Sequence, residues 1–311
     1  MTGMSGPWLA EQFGLRLPAT LEGPVDRGYQ GEVWRLVCGG RPYAVKRANV
    51  SLDQEQMAAA YDLQTRAMAY GIGAPRQLLT TAGELSATRD GETVRVFEWI
   101  DLEPPNRQLD PASVGQTLAA LHRAGGPATR GVEAWFVEPV TQHRWQELLT
   151  ELRRSGAPFA DDLAASLPGM IAAAAVFETP HDVITCHRDF WADNVRSDSD
   201  DRPVVIDWDN CGPASAVGEL AMALGEFGTS AARARELVTA YRAAGGPARL
   251  TGPGDFTMPL AILHHLVELG VTQWLAAPDD EGRRVAEGRV REFTDDPFGL
   301  DQIQEILAAV R

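Results

Sequence analysis

Two short apolar runs, at 183–185 and 204–206, and the polar residues that follow them constrain this chain more than any other part of the sequence. The runs are typical of buried strands. Asp189 and Asn194 follow the first run, and Asp207 directly follows the second. Side chains just past the end of a strand lie in loops, where binding and catalytic residues concentrate. The pattern therefore predicts a functional site in this stretch.

The three side chains suit phosphoryl transfer with a metal ion. Asn194 and Asp207 offer the hard oxygen atoms that Mg²⁺ prefers, and Asp189 is then available to a substrate hydroxyl. Because the protein mainly positions reactants and neutralises charge in this reaction, one aspartate and two metal ligands supply nearly all that it needs. Any one of these acids alone is more simply a helix cap. The ordered spacing His-x-Asp-x-x-x-x-Asn followed by Ile-Asp is specific.

Length and charge limit the class of protein. A chain of 311 residues exceeds the usual size of a single core and predicts two lobes with a cleft where a ligand can bind. The 43 acidic and 28 basic residues give a net charge of −15, which repels nucleic acid and anionic membranes and attracts cationic ligands. An acidic surface serves solubility equally well, so the charge by itself does not identify a substrate.

Membrane insertion and export are not expected. The sequence has no apolar run of about 18 residues and no charged-then-apolar leader. We therefore predict a cytoplasmic protein, monomeric or homodimeric, whose partner is a small-molecule acceptor and which binds neither nucleic acid nor membrane. Cys38, Cys186 and Cys211 lack metal-ligand spacing and are too few for a disulfide framework, so they are predicted to be reduced core thiols.

The first hundred residues predict an antiparallel sheet. From about Thr20 the pattern is strand, turn, strand, turn, strand, with Gly28 and Gly31 at the first turn. Alternation along the third strand places Lys46 on one face with Ala44, so this lysine reaches whatever that face covers. A lysine in that position suits phosphate groups, although strand lysines commonly lie exposed at a sheet edge.

A helix from about residue 53 to residue 70 follows the third strand. It carries Glu55 and Asp62, and either carboxylate could be the partner of Lys46. Asp62 is the preferred choice. The helix therefore predicts an acidic residue beside the phosphate-binding lysine.

Two further strands, 84–89 and 93–100, complete the sheet before a Pro-Pro pair breaks the chain. We place the lobe boundary at this break. Residues 1–101 are predicted to form a nucleotide-binding lobe, and residues 102–311 a catalytic and substrate-binding lobe that is mostly helical. Its predicted helices begin at Pro111 and continue over 218–224, 231–244, 258–275 and 300–310.

Taken in order, these features resemble the aminoglycoside phosphotransferase family of the protein-kinase-like superfamily, which has choline and homoserine kinases as relatives. The likeness runs from about Thr20 to Leu224 in the order of elements. Three motifs carry it, namely Tyr43-Ala-Val-Lys46, Leu118-Ala-Ala-Leu121-His122, and His187-Arg188-Asp189 to Asn194 followed by Ile206-Asp207-Trp208-Asp209. The resemblance implies a bilobal, protein-kinase-like α+β fold, with a small antiparallel-sheet lobe carrying one helix and a larger, mainly helical lobe.

For the nucleotide, the resemblance implies that ATP and Mg²⁺ are the cofactors. Lys46 would hold the α- and β-phosphates, Asp62 would brace Lys46, and the turn with Gly28 and Gly31 would cover the phosphates. The backbone expected to meet adenine belongs to Glu98, Trp99 and Ile100.

For catalysis, the resemblance implies that Asp189 is the catalytic aspartate and that Asn194 and Asp207 carry Mg²⁺. Glu219 looks like the acid that braces the catalytic loop from the following helix. Arg188 stands where the family often has glycine, which makes this loop similar to that of protein kinases.

The acceptor is expected on the helical side of the chain, and its candidate contacts are acids and aromatic rings. These candidates are Asp193, Trp191, Glu226, Glu268 and Trp274. Each one alone is more simply a surface charge or a core ring. We therefore expect an ATP-dependent phosphotransferase whose acceptor is the hydroxyl of a small, cationic molecule, favouring an aminoglycoside or another basic antibiotic and hence a role in antibiotic resistance.

Three other functions stay open at this point. The acceptor could instead be a metabolite such as an amino alcohol, a sugar or homoserine. A nucleotide-binding regulator without turnover is disfavoured, because Lys46, Asp189, Asn194 and Asp207 are all present. A magnesium-dependent hydrolase would not need the lysine-bearing strand.

Overall fold

The computed structural model describes residues 3–27, 31–48, 53–295 and 298–311. Its strands are β1 (Ala19–Arg27), β2 (Gly31–Cys38), β3 (Arg41–Ala48), β4 (Gln77–Leu78), β5 (Ala87–Arg89), β6 (Glu92–Glu98), β7 (Val183–Cys186), β8 (Val195–Ser197), β9 (Pro203–Val205) and β10 (Gly212–Ser215). Its α-helices are α1 (Gly6–Gln12), α2 (Gln54–Ala69), α3 (Pro111–Gly125), α4 (Gln142–Arg154), α5 (Ala160–Ala173), α6 (Ala216–Phe227), α7 (Ala231–Ala243), α8 (Thr257–Ala276), α9 (Asp280–Thr294) and α10 (Leu300–Val310).

The chain divides into two compact units. The first is Met1–Asn106 with Ala192–Gly212, and the second is Arg107–Trp191 with Pro213–Arg311. The predicted lobes, 1–101 and 102–311, differ from these units mainly in the segment 192–212. This segment packs with the N-terminal part of the chain, because the amide of Val205 donates to the carbonyl of Gly73 at 2.8 Å.

An antiparallel sheet forms the framework of the first unit, as the strand pattern predicts. The strand order is β1-β2-β3-β6-β4, and β5 pairs with β6. Leu9 of α1 is fully buried with Leu36, Val45 and Val94 in the core on one face of the sheet. Burying such side chains stabilises the fold by about 1.5–3 kcal/mol each. The register sets Lys46 of β3 directly opposite Arg95 of β6, which brings two cationic side chains side by side.

Helix α2 confirms the helix that the sequence predicts between the third and later strands. It begins after Asp53, whose carboxylate accepts a hydrogen bond from the amide of Glu55 at 3.0 Å. This cap satisfies one of the amide groups that a helix leaves open at its start. Met57, Leu63 and Ala67 are buried on one side of the helix. The helix thus has a fixed start and one face held in the core.

Helices dominate the second unit, and α3 shows how the sequence determines where one starts and stops. Asp110 caps it through the amide of Ser113 at 2.8 Å, and Pro111 occupies the first turn. Gly126 follows the helix with a φ of +66°, a left-handed conformation that glycine adopts without strain. Both ends agree with the prediction.

The core of the second unit lies among α4, α5, α8 and α9. Trp145, Leu148, Leu163 and Val267 are at most 1% exposed in this core. The sequence pattern missed α9, because only a narrow stripe of this charged helix is apolar, with Ala286 and Val290 buried.

Two smaller expectations concern the cysteines and the membrane, and a pair of adjacent histidines also lies on α8. All three cysteines are free thiols in the interior. His264 is buried and His265 lies partly exposed beside it, as expected of adjacent residues on a helix. Among the described residues, no helix combines the length and the apolar character that a membrane span requires.

Candidate active site

Asn194 and Asp207 lie at the same end of a β-hairpin in the first unit. Val195 of β8 pairs with Val205 of β9, and the amide of Ile206 donates to the carbonyl of Asn194 at 2.9 Å. The residues that flank this pair therefore come together although 13 positions separate them in sequence. Asp207 has a φ of +54°, a left-handed conformation that is uncommon outside glycine but that aspartate adopts more readily than most residues.

Lys46 reaches this hairpin from β3. Its ammonium lies 2.5 Å from Oδ1 of Asp207 and 2.6 Å from Oδ2 of Asp209. Burial would lower the pKa of Lys46, but the two carboxylates outweigh it and hold that pKa above its ordinary value. Lys46 is therefore a charged group that the fold aims at Asp207.

Arg95 joins the same cluster from β6. Its guanidinium donates to both oxygens of Asp209, at 2.5 and 2.6 Å, in the two-pronged geometry that gives the strongest arginine pairs. Burial would raise the pKa of Asp209, but Arg95 and Lys46 lower it well below its usual range. The sequence reading missed Arg95. An arginine between Val94 and Val96, in a strand that otherwise reads as buried, is the signal that could have revealed it.

Helix α2 contacts the cluster through an amide group. Gln56 donates through Nε2 to the carbonyls of Asp209, at 2.9 Å, and Cys211, at 2.6 Å. Asp62, predicted to brace Lys46, instead pairs with Arg66 one turn along the same helix at 3.3 Å. The structure therefore corrects the choice of partner, because Lys46 is held by two residues that follow β9.

Two further predictions about nucleotide binding concern the turn with Gly28 and Gly31 and the end of β6. Gly28 lies outside the described residues. Gly31 begins β2, where a Cβ atom would stand 2.2 Å from the carbonyl oxygen of Arg47, so the close approach of two strands explains this glycine. Strand β6 ends at Glu98, and Trp99 and Ile100 continue past the sheet.

The side chains of Glu98 and Trp99 have partners of their own. Glu98 pairs with Arg41 at 3.0 Å, and the indole nitrogen of Trp99 donates to Asp101 at 2.7 Å. The backbone contact with adenine that the resemblance implies stays a prediction.

Residues 187–191 of the predicted catalytic loop lie in the second unit, and Arg188 is the best-held residue among them. Arg188 has a φ of +66°, and its amide donates to the carboxylate of Glu219. Its guanidinium donates to Glu133 and lies 4.1 Å above the ring of Phe136. These contacts fix the residue that directly precedes Asp189, and they explain how an arginine occupies a conformation that favours glycine.

Glu219 is the centre of a buried hydrogen-bonded network. Its second oxygen lies 2.9 Å from Nε2 of His122, and Nδ1 of His122 lies 2.7 Å from the hydroxyl of Tyr241. That hydroxyl also accepts from the amide of Ala248 at 3.0 Å. Burial would raise the pKa of Glu219, but the bonds from His122 and Arg188 outweigh it and lower that pKa. The structure thus gives Glu219 the bracing role that the resemblance implies.

The predicted acceptor contacts fall into two groups. Trp274 is buried against Phe159, which makes it a core residue and corrects its candidacy. Asp193 is exposed and Trp191 is half-buried, so both stay available.

Glu226 and Glu268 already have cationic partners. Glu226 pairs with Arg107 at 2.8 Å, and Glu268 pairs with Arg144 at 2.7 Å. Each carboxylate is therefore engaged in an ion pair in this structure, and its role toward an acceptor stays a prediction.

The donor atoms of the hairpin fit a magnesium ion. A carboxylate and a side-chain amide supply hard oxygen ligands, and Mg²⁺ takes few protein ligands besides phosphate and water. The side chain of Asp207 is 39% exposed, so a ligand can reach it. Lys46, as a compact cation beside it, suits phosphate oxygens.

The sequence matches the model of the phosphotransferase enzyme family over residues 23–253, well over half of the chain. The chain therefore belongs to the phosphotransferase enzyme family. The predicted reaction class, a phosphotransferase, is confirmed at the level of this family. Among curated proteins, none matches the sequence at a significant level.

Solved structures share the fold of this chain. A spectinomycin phosphotransferase, solved with ADP and spectinomycin, has 14% identity and a TM-score of 0.67, covering 98% of this chain and 97% of its own. An amicoumacin kinase, solved with AMP-PNP, Ca²⁺ and its substrate, has 13% identity and a TM-score of 0.60, covering 95% of each chain. An aminopropanol kinase has 15% identity and a TM-score of 0.61, covering 92% of this chain and 93% of its own. These likenesses confirm the predicted fold.

Proposed function

We propose that this chain is an ATP- and Mg²⁺-dependent kinase that phosphorylates a hydroxyl group of a small, cationic molecule. The observation that best supports this proposal is the pairing of Lys46 with Asp207 at 2.5 Å, across 161 positions of sequence. A strand lysine beside a carboxylate that follows a hairpin combines a phosphate-binding cation with a metal-binding oxygen. Phosphoryl transfer needs both.

The proposed site for the nucleotide and the metal uses a few residues of the first unit. Lys46 binds phosphate oxygens of ATP, while Asn194 and Asp207 hold Mg²⁺, which neutralises charge on the phosphates when it is bound. Adenine meets the backbone beyond the end of β6, at Trp99 and Ile100. The support for this assignment is the order of the elements together with the Lys46 cluster.

Asp189 is the catalytic aspartate of the proposal. It orients the acceptor hydroxyl and takes its proton as the bond between the acceptor oxygen and the γ-phosphorus forms, while the bond from that phosphorus to the leaving ADP breaks. Glu219 and Glu133 hold Arg188, the residue before it, so the backbone that carries Asp189 does not need to reorganise during turnover.

The acceptor we favour is an aminoglycoside or another basic antibiotic, which would make the enzyme a resistance factor. The net charge of −15 supports a cationic acceptor, and so do the names of the spectinomycin and amicoumacin enzymes that share the fold. Asp193 and Trp191 are the remaining candidate contacts.

A metabolite kinase for an amino alcohol is the second candidate. The aminopropanol kinase, which shares the fold over 92% of this chain, favours it. Its acceptor also combines an amine with a hydroxyl, so the same acidic surface would attract it.

We place this enzyme in the cytoplasm, as a monomer or a homodimer. The need for ATP and the three free, buried cysteines both suit a reducing, nucleotide-rich compartment.

The acceptor is tested by measuring ADP release. The protein is incubated with ATP and Mg²⁺ and with a panel of aminoglycosides, other basic antibiotics and amino alcohols, each also in the presence of EDTA. We expect one class to stimulate ADP release and EDTA to abolish that stimulation. ADP release that no hydroxyl compound stimulates would contradict a kinase.

The role of Asp189 is tested with Asp189→Asn. Turnover should fall by about 10²-fold or more, the size expected for a positioned acid–base group, while affinity for ADP stays within a factor of about two. Asp200→Asn is the matched control, because Asp200 is an exposed acid paired with Arg202 in the turn between β8 and β9. Full activity of Asp189→Asn would refute the assignment.

A further inference from the structure

Lys46 has two carboxylate partners, and they differ in exposure. The side chain of Asp207 is 39% exposed, whereas that of Asp209 is only 14% exposed. Asp207 is also the proposed metal ligand, so its oxygens have another role when a nucleotide is bound. Asp209 is the partner that can stay bonded to Lys46 both with and without a bound nucleotide.

Arg95 fixes the side chain of Asp209. The guanidinium is 4% exposed and grips both carboxylate oxygens at 2.5 and 2.6 Å. Lys46 and Arg95 face each other across β3 and β6, and like charges opposite one another in a sheet destabilise it. Asp209 bonds to both cations and removes this repulsion, so the three side chains depend on one another.

Gln56 fixes the backbone of Asp209. Its amide bonds to the carbonyls of Asp209 and Cys211, which anchors the segment after β9 to α2. The acid of α2 that could have faced Lys46, Asp62, is exposed and paired with Arg66. Helix α2 therefore acts on Lys46 only through the segment that carries Asp209.

We propose that Asp209, clamped by Arg95, is the permanent carboxylate partner of Lys46 and positions its ammonium for the phosphates of the nucleotide. Asp209 and Arg95 are then positioning residues, and Asp209 takes the part that the family resemblance implies for Asp62. This inference rests on the proposed function, because it assumes that Lys46 binds phosphate.

The direction in which ADP affinity changes when Asp209 loses its charge separates this proposal from a simpler one. If Asp209 merely lowered the local positive charge, removing its charge would leave Lys46 and Arg95 more attractive to phosphate and would tighten ADP binding. If Asp209 positions Lys46, removing its charge weakens ADP binding, because Lys46 loses its fixed partner. Asp209→Asn changes the charge with almost no change in shape.

Lys46 offers a direct readout, since it is the only lysine among the 311 residues. Protein labelled with ¹⁵N at lysine Nζ has one side-chain ammonium signal, which reports on the ion pairs of Lys46 without any turnover. Calorimetry with ADP in EDTA measures binding without a metal. The variants are Asp209→Asn and Arg95→Lys, with Asp62→Asn as the matched carboxylate control.

We expect Asp209→Asn to shift the Lys46 signal and to raise the dissociation constant for ADP about tenfold, the size of one charge-assisted hydrogen bond. Arg95→Lys, which keeps the charge but loses the two-pronged grip, should cause a smaller change in the same direction. Asp62→Asn should leave the signal in place and the ADP affinity within a factor of about two.

The inference fails if Asp209→Asn leaves the Lys46 signal unchanged, if it tightens ADP binding, or if Asp62→Asn has the same effect. Should Asp209→Asn not fold, Arg95→Lys decides through calorimetry alone, because its added lysine gives a second ammonium signal. Weaker ADP binding by this variant supports the inference, and unchanged or tighter binding overturns it. Wild-type protein that binds ADP neither in EDTA nor with Mg²⁺ would overturn the proposed function together with this inference. Wild-type protein that binds ADP, with Asp209→Asn indistinguishable from it, would overturn this inference alone.

Discussion

The two units of the chain each contain a network of polar side chains, and the networks differ in what can reach them. In the first unit, Lys46 bonds to Asp207, whose side chain is 39% exposed. In the second unit, the side chains of Glu219 and His122 are both 0% exposed. A ligand can reach the first network and replace one of its ion-pair partners. No ligand can reach the buried side chains of the second network, whose hydrogen bonds hold the backbone.

The two networks differ in how easily their charged side chains can leave their partners. Lys46 and Asp207 can exchange their contact for another, as the proposed function requires, because an ion pair with one exposed member can separate at small cost. Glu219 cannot leave its partners, because a buried carboxylate without hydrogen bonds costs several kcal/mol. Removing one acid from each network is therefore the sharpest test of the contrast.

The largest effect is expected for Glu219→Gln. The free energy of unfolding should fall by about 3 kcal/mol, because one buried donor, either the amide of Arg188 or the ring of His122, loses its acceptor. Asp207→Asn should lower it by about 1 kcal/mol or less, since Lys46 keeps Asp209. Urea unfolding measures both. Equal losses would remove the distinction between the networks.

The interior of the second unit should also respond to pH. Burial lowers the pKa of His264 to about 4, while an unfolded chain has the ordinary value of 6.5. Between these values the unfolded chain binds the extra proton, so this histidine makes the protein less stable as the pH falls from about 6.5 to about 4. The loss should be about 2–4 kcal/mol relative to His264→Phe, a variant that keeps a ring beside Trp145 and Phe177. Parallel stability curves for the two proteins from pH 7 to pH 4 would contradict the expectation.

A smaller effect than that of Glu219→Gln is expected for Tyr241→Phe, at the edge of the same network. Loss of the hydroxyl leaves Nδ1 of His122 and the amide of Ala248 without this partner, which should lower the free energy of unfolding by about 1–2 kcal/mol. Tyr61→Phe, on half-buried α2 surface, is the control and should change stability by less than about 0.5 kcal/mol. Thermal or urea unfolding measures the free energy of unfolding of both variants. Equal values for the two would mean that the network ends at His122.

Much of the fold follows from local sequence signals. The caps of α3 at Asp110 and Gly126 act over one helical turn, so sequence reading located both ends. Helix α9 was missed, since its stripe of buried residues is narrow and its other faces are charged. The candidate site shows the same division. Asn194 and Asp207 were predicted from the ordered spacing of their motif, whereas Arg95 and Gln56 were not predicted.

By itself, the sequence determined the family, the positions of Lys46, Asp189, Asn194 and Asp207, and the antiparallel sheet that carries Lys46. These depend on spacing and alternation within short segments. Only the tertiary structure decided that Asp209, rather than Asp62, accompanies Asp207 at Lys46. The partners of a charged side chain depend on the register between β3 and β6 and on how the segment after β9 packs against them. No local pattern encodes a contact between residues that lie 163 positions apart.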